Sequence, residues 1–250
     1  MNTIDFLLTD IFAFGLVFLR ITGFATMAPF IRENYIPPRF RVLGAILFTA
    51  LLFRKITGDM QPVGFAEFFF LGIMEFAIGA ALGFGMNLIF MAIRSAGSQM
   101  GQMIGLRFHM MNTGEEPIGL GELLMIFTAF FVISSGGDRY MIQVFIDLYE
   151  KIPIGAFKMG VVSMRPTLEL GTAFFKAIIK LSLPIIGVIL TFYLLVGIFQ
   201  HFFQNWDIFA MVFPGAVFIG LWAIALMAPN IIIQASQIFK ETVNSLGNIF

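Results

Sequence analysis

The sequence predicts an all-α polytopic membrane protein of helical hairpins, with one helical membrane domain over residues 1–250. Three observations carry this. Apolar residues make up 59% of the chain and charged residues 12%, against roughly 45–50% and about 25% in soluble domains. The apolar residues fall into six blocks without the alternation of half-buried strands, which argues for helices. From Leu181 to Phe239 the only formally charged side chain is Asp207, over a length that holds two spans of about 20 residues each.

The first block, Ile4–Phe30, is long enough to span a bilayer and is interrupted by Asp5, Asp10 and Arg20. Its acidic start lacks the basic n-region of a cleaved signal peptide. Pro29 and then Pro37–Pro38 mark the joint to Val42–Phe53, which is shorter than the hydrocarbon core demands. That block is either half of a bent hairpin or extends into charged flanks. Gly58 and Pro62 precede Phe65–Ile93, an apolar run that contains Glu75. Leu123–Gly137 is again short and closes in a polar turn at Ser134–Ser135 and Gly136–Gly137. Leu181–Phe203 and Ile208–Ile238 are full-length spans, and Pro184, Pro214 and Pro229 inside them are expected to bend or divide the helices. Basic residues divide too evenly between the two sides to fix the orientation.

Composition removes several function classes. With 15 basic and 15 acidic residues the net charge is zero, so no electrostatic footprint for nucleic acid exists. Cysteine is absent, which removes disulfides and thiolate catalysis. His109 and His201 have no second ligand at helical spacing, so no metal site is predicted. Gly79, Gly83 and Gly85 are not followed by the Lys-Ser or Lys-Thr of a phosphate loop and read as helix packing. Ser134–Ser135 lacks the flanking glycines of a nucleophile elbow. The chain reads as a non-enzyme without a cofactor.

Charge and glycine spacing point to sites. A carboxylate at a helix centre costs about 2.5–3.5 kcal/mol, which roughly 5–10 residues such as Leu or Phe offset. Glu75 therefore calls for a partner. It is a proton or ion ligand, or it lies near a helix end, or it is a buried charge paired with Arg94 or another subunit; Arg20 poses the same question. Gly97, Gly101 and Gly105 lie four apart, as do Gly79 and Gly83, on faces where another backbone can approach closely. Behind them Met100, Met103, Met110 and Met111 flank Phe108, and unbranched methionine suits the sealing of an irregular gap. Irregular backbone here, with Arg107, Glu115 and Glu116, would line a conduit and must be buried in protein.

The run from Glu75 through Gly79, Gly83 and Phe84, then Ala92 to Gly97 and Met100 to Phe108, resembles the FliR family of flagellar type III export-gate proteins and their injectisome relatives. Ala28-Pro29 and Ile36 to Arg39 resemble the family's first loop. Gly137 to Leu148 with Ile152 to Gly155 resembles its central hairpin, and Ser182 to Pro184 with Phe209 to Gly220 its C-terminal half. The chain departs from the pattern at Gln200 to Asp207, so no role is carried to that loop.

The resemblance implies a structural and gating subunit in the bacterial inner membrane at the flagellar basal body. One copy would join several copies of FliP and FliQ in a hetero-oligomer, with FlhB and FlhA docking nearby, to pass unfolded protein substrates. It implies a plug over Phe108 to Leu120, with gating at Gln102, Met103, Ile104, Phe108, His109, Met110 and Met111. It also implies that much of the complex is held above the membrane plane, with energy supplied by a separate ATPase and the proton gradient. The alternative is a secondary transporter or channel for a small solute, using proline-bent helices and Glu75 as coupling carboxylate. No inverted repeat is visible in the sequence to support it.

Overall fold

The computed structural model describes residues 3–28, 37–56, 64–105, 119–155, 164–202 and 209–249, and every regular element among them is a helix. These are α1 (Thr3–Met27), α2 (Pro38–Ile56), α3 (Phe65–Ile104), α4 (Leu120–Ser134), α5 (Gly137–Lys151), α6 (Met164–Phe202) and α7 (Phe209–Ile249). Four stretches are long and apolar enough to cross a membrane: Asp10–Met27, Phe65–Ile104, Leu170–Phe202 and Val212–Asn244. The chain is thus an all-α polytopic membrane protein. α3 has 40 residues, α6 39 and α7 41. At about 1.5 Å per residue each is roughly 60 Å long, twice the hydrocarbon thickness of about 30 Å.

Two features refine the sequence expectations. Of the two outcomes expected at Pro184, Pro214 and Pro229, bending or division, division does not occur: α6 and α7 run through them. Each proline removes one ladder bond, and the long apolar flanks keep theirs. α5 is a separate helix that no apolar block announces. Its Val144, Phe145, Leu148 and Tyr149 are buried, while Arg139, Gln143 and Glu150 are exposed. A charged face on an amphipathic helix dilutes the block-averaged apolar signal.

Contacts divide the chain into two units, one of Met1–Leu88, Asp138–Leu170 and Glu241–Phe250, the other of Ile89–Gly137 and Gly171–Lys240. In the first unit α1 and the start of α3 run parallel. Phe12 stacks on Phe68 at 4.8 Å, and further along Phe24 lies against Gly83. α2 folds back along α1, with Phe14 and Phe53 rings 5.6 Å apart. Leu16, Val17, Ile21, Ile78, Leu82 and Met86 form the core, and Phe145 of α5 reaches Phe24 at 5.1 Å. In the second unit Phe90 meets Phe239 at 5.7 Å, and Ile93, Met100, Leu181, Ile185 and Ile189 are buried.

Candidate functional site

In the first unit, glycines set how closely α1 and α3 approach. A Cβ at Gly79 would overlap the Arg20 carbonyl, and one at Gly23 would overlap the Phe76 carbonyl. A Cβ at Gly83 would lie 2.5 Å from the Phe24 carbonyl oxygen. Backbone thus meets backbone without intervening side chains. This approach brings Arg20 of α1 onto Glu75 of α3.

Arg20 Nε donates to Glu75 Oε2, with the two side chains 0% and 1% exposed. The same pair holds the end of α5. Arg20 Nη1 donates to the Ile152 carbonyl at 3.0 Å, and the Gly155 N–H donates to Glu75 Oε1 at 3.0 Å. Gly155 adopts φ +75, a left-handed value that glycine reaches without a Cβ penalty. The Tyr149 ring sits 4.4 Å from the Arg20 guanidinium carbon, a cation–π contact. Buried charge is tolerated where it is paired and further hydrogen-bonded; the pair and these two backbone bonds go most of the way, while Arg20 Nη2 and the Tyr149 hydroxyl are buried without a hydrogen-bond partner among the described residues. Glu75 is therefore engaged by Arg20 and a backbone amide.

Arg94 is not its partner. Arg94 Nε lies 3.6 Å from Glu122 Oε1 in the second unit, and the Arg94 side chain is 37% exposed, so it is not the buried charge the sequence suggested. A cation with an acid close by on α4 and a partly open surface has no need of Glu75.

The second unit contains the end of α3. A Cβ at Gly97 would lie 2.7 Å from Gly121 Cα and 3.0 Å from the Leu120 carbonyl, so α3 and α4 meet backbone to backbone. Gly101 has more room, with Leu120 Cβ at 3.4 Å. Gly105 departs from the expected helical stripe: α3 ends at Ile104, and Gly105 turns the chain with φ +87. Its N–H donates to the Gln102 carbonyl at 3.0 Å, and the Phe213 ring occupies the place of a Cβ.

Of the residues expected to gate, Gln102 and Met103 are exposed, and the Met103 carbonyl accepts the Tyr193 hydroxyl at 3.0 Å. Ile104 is fully buried and fills the space at Gly220. Phe108, His109, Met110 and Met111 lie outside the described residues. Sequence reasoning missed Tyr149, Gly155, Tyr193 and Phe213, whose roles come from chain-distant contacts. Gly23 and Gly121 carried a legible signal, since each is a small residue inside an apolar helix. Among the described residues no group of three or more His, Cys, Asp or Glu side chains is placed to hold a metal ion.

The sequence pattern of the Bacterial export proteins, family 1, matches residues 11–242. Relatives of similar length align along nearly the whole chain. The flagellar biosynthetic protein FliR of Escherichia coli (strain K12) is 25% identical over 237 residues, covering 92% of this chain and 90% of the relative. That of Pectobacterium carotovorum subsp. carotovorum is 28% identical over 238 residues, covering 93% and 90%. That of Aquifex aeolicus (strain VF5) is 26% identical over 230 residues, covering 90% and 89%.

Proposed function

The chain belongs to the Bacterial export proteins, family 1, and on that premise we propose that it is a structural and gating subunit of the flagellar type III export channel. In this reading residues 1–250 act as one helical membrane domain in the bacterial inner membrane at the basal body. It packs with homologues of FliP and FliQ, with FlhB and FlhA homologues docking nearby, and unfolded proteins are its cargo. The observation that carries the reading is coverage: the family match extends from residue 11 to residue 242, through part of every described helix. Physical support comes from the surface. Phe70, Phe130, Phe218 and Trp222 are 68%, 74%, 73% and 62% exposed, an apolar exterior that requires lipid or apolar partners.

The gate in this reading lies at the end of α3 and in the segment after it. Work is done by packing rather than by bond chemistry. Apolar side chains close the resting passage, and cargo or partner contacts shift the population toward an open state. Native mass spectrometry of the detergent-solubilised assembly tests the proposal. A hetero-oligomer with dissimilar small membrane proteins is the expected result; a stable lone chain that transports a solute overturns it. Deleting residues 108–120 in the co-expressed assembly tests the plug. The expected outcome is an assembled complex leaky to ions, and unchanged permeability removes the assignment.

A further inference from the structure

The last turn of α3 is held differently from the rest of that helix. Upstream, Gly79, Gly83 and Gly97 let α3 meet its neighbours backbone to backbone, contacts too close to slide without overlap. At Gly101 the approach relaxes to ordinary contact, with Leu120 Cβ at 3.4 Å. Beyond it, side chains and glycines of α6 and α7 take over.

A helix ends with four carbonyls that its own ladder cannot satisfy. Here the Gly105 N–H donates to the Gln102 carbonyl in a tight 3₁₀-type bond, and the Tyr193 hydroxyl of α6 donates to the Met103 carbonyl, each at 3.0 Å. Ile104 fills the space beside Gly220 of α7, and the Phe213 ring of α7 lies where a Gly105 Cβ would be. Residues 103, 104 and 105 are thus each held by a C-terminal helix. Those two helices are tied together at the same level: the Phe192 ring, next to Tyr193, lies 2.9 Å from where a Gly215 Cβ would be, two residues after Phe213. α6 and α7 therefore bear on the end of α3 as one jaw.

The grip is reversible. Tyr193 is 37% exposed, so water can replace its hydroxyl at the Met103 carbonyl. Helix shifts of about 1–2 Å are the usual scale of switching, and one of that size carries the hydroxyl beyond the roughly 2.5–3.0 Å of an O–H···O bond. Gly105 sits at φ +87, and glycine passes to negative φ without a Cβ penalty. The turn can therefore be released while the contact of Gly97 with Gly121 stays closed.

We propose that the α6–α7 pair is a jaw whose position decides whether the last turn of α3 is seated or free, which makes the C-terminal helices a conformational control on the end of α3. The seating stands apart from the export reading; its effect on permeability rests on that reading. The test uses the co-expressed assembly in nanodiscs, with a spin label at Gln102→Cys to report the last turn and one at Met91→Cys to report α3 upstream; both positions are exposed. Tyr193→Phe is expected to raise the mobile population at 102 by about two- to twelvefold, the range for loss of one hydrogen bond. Phe213→Leu is expected to act in the same direction, and neither variant to alter the spectrum at 91. An unchanged spectrum at 102 in both variants, or equal loosening at 91 and 102, overturns the jaw. A looser turn that leaks no ions keeps the jaw and counts against the export-channel reading alone.

Discussion

Replacing Glu75 with leucine leaves the Arg20 guanidinium charged at 0% exposure and strips the Gly155 N–H of its acceptor. Breaking one side of a buried ion pair costs about 3–5 kcal/mol, because the surviving charge cannot return to water. Total stabilities lie around 5–15 kcal/mol, so the change is severe. At roughly 2–4 °C per kcal/mol for a chain of this size, the melting temperature falls by about 6–20 °C. Replacing both members, Arg20→Met with Glu75→Leu, removes the charge problem. It leaves the Ile152 carbonyl and the Gly155 amide without these partners and the Tyr149 ring without its cation. Removing both sides of a buried pair is often nearly neutral, so the double variant recovers much of the loss. The cycle of single and double variants then gives a coupling above about 2 kcal/mol, where independent sites add within roughly 0.5. The assay is thermal unfolding of the purified assembly, followed by intrinsic fluorescence and by retention on gel filtration. A Glu75→Leu protein that melts with the parent, or a double variant as unstable as the sum of the singles, refutes the clamp.

Other expectations concern the end of α3. Gly97→Ala forces α3 from α4 at a backbone contact and is expected to cost about 1–3 kcal/mol, whereas Gly101→Ala meets ordinary contact and gains up to about 1 kcal/mol of helix propensity; the yield of intact assembly distinguishes them. Gly105→Ala places a Cβ at φ +87 against the Phe213 ring, a conformational penalty of about 1–2 kcal/mol before any steric overlap, read as a lowered melting temperature. Tyr193→Phe deletes one hydroxyl bond at a half-exposed site and is expected to cost about 0.5–1.5 kcal/mol; an unaltered melting temperature with unaltered ion leak would deny the bond any part in holding α3.

The helices were legible where apolar residues ran unbroken, as at Phe65–Ile93 and Leu181–Phe203, because burial in lipid or protein demands no polar face. Their true lengths were not. α3 continues to Ile104 and α6 begins at Met164, through residues polar enough to end a hydropathy block yet fully able to hold a helix. α5 falls outside every apolar block for the same reason, and only the resemblance covered its residues. Glu75 announced that it needed a partner, but a sequence offers many arginines, and Arg20 stands 55 residues away. Nothing short of the α1–α3 crossing selects it over Arg94. The close approach at Gly97 was foreseeable from spacing alone, while the different fates of Gly101 and Gly105 depend on where the helix stops.

The Arg20–Glu75 clamp also has a timetable. Glu75 is synthesised 55 residues after Arg20, and its second hydrogen-bond donor, Gly155, follows 80 residues later still. At about 5–20 residues per second of translation, that interval is roughly 4–16 s. During it the nascent chain carries a carboxylate whose second donor has not yet been synthesised. The complete set of contacts around the two charges can therefore form only after the fifth helix and the turn behind it have been made.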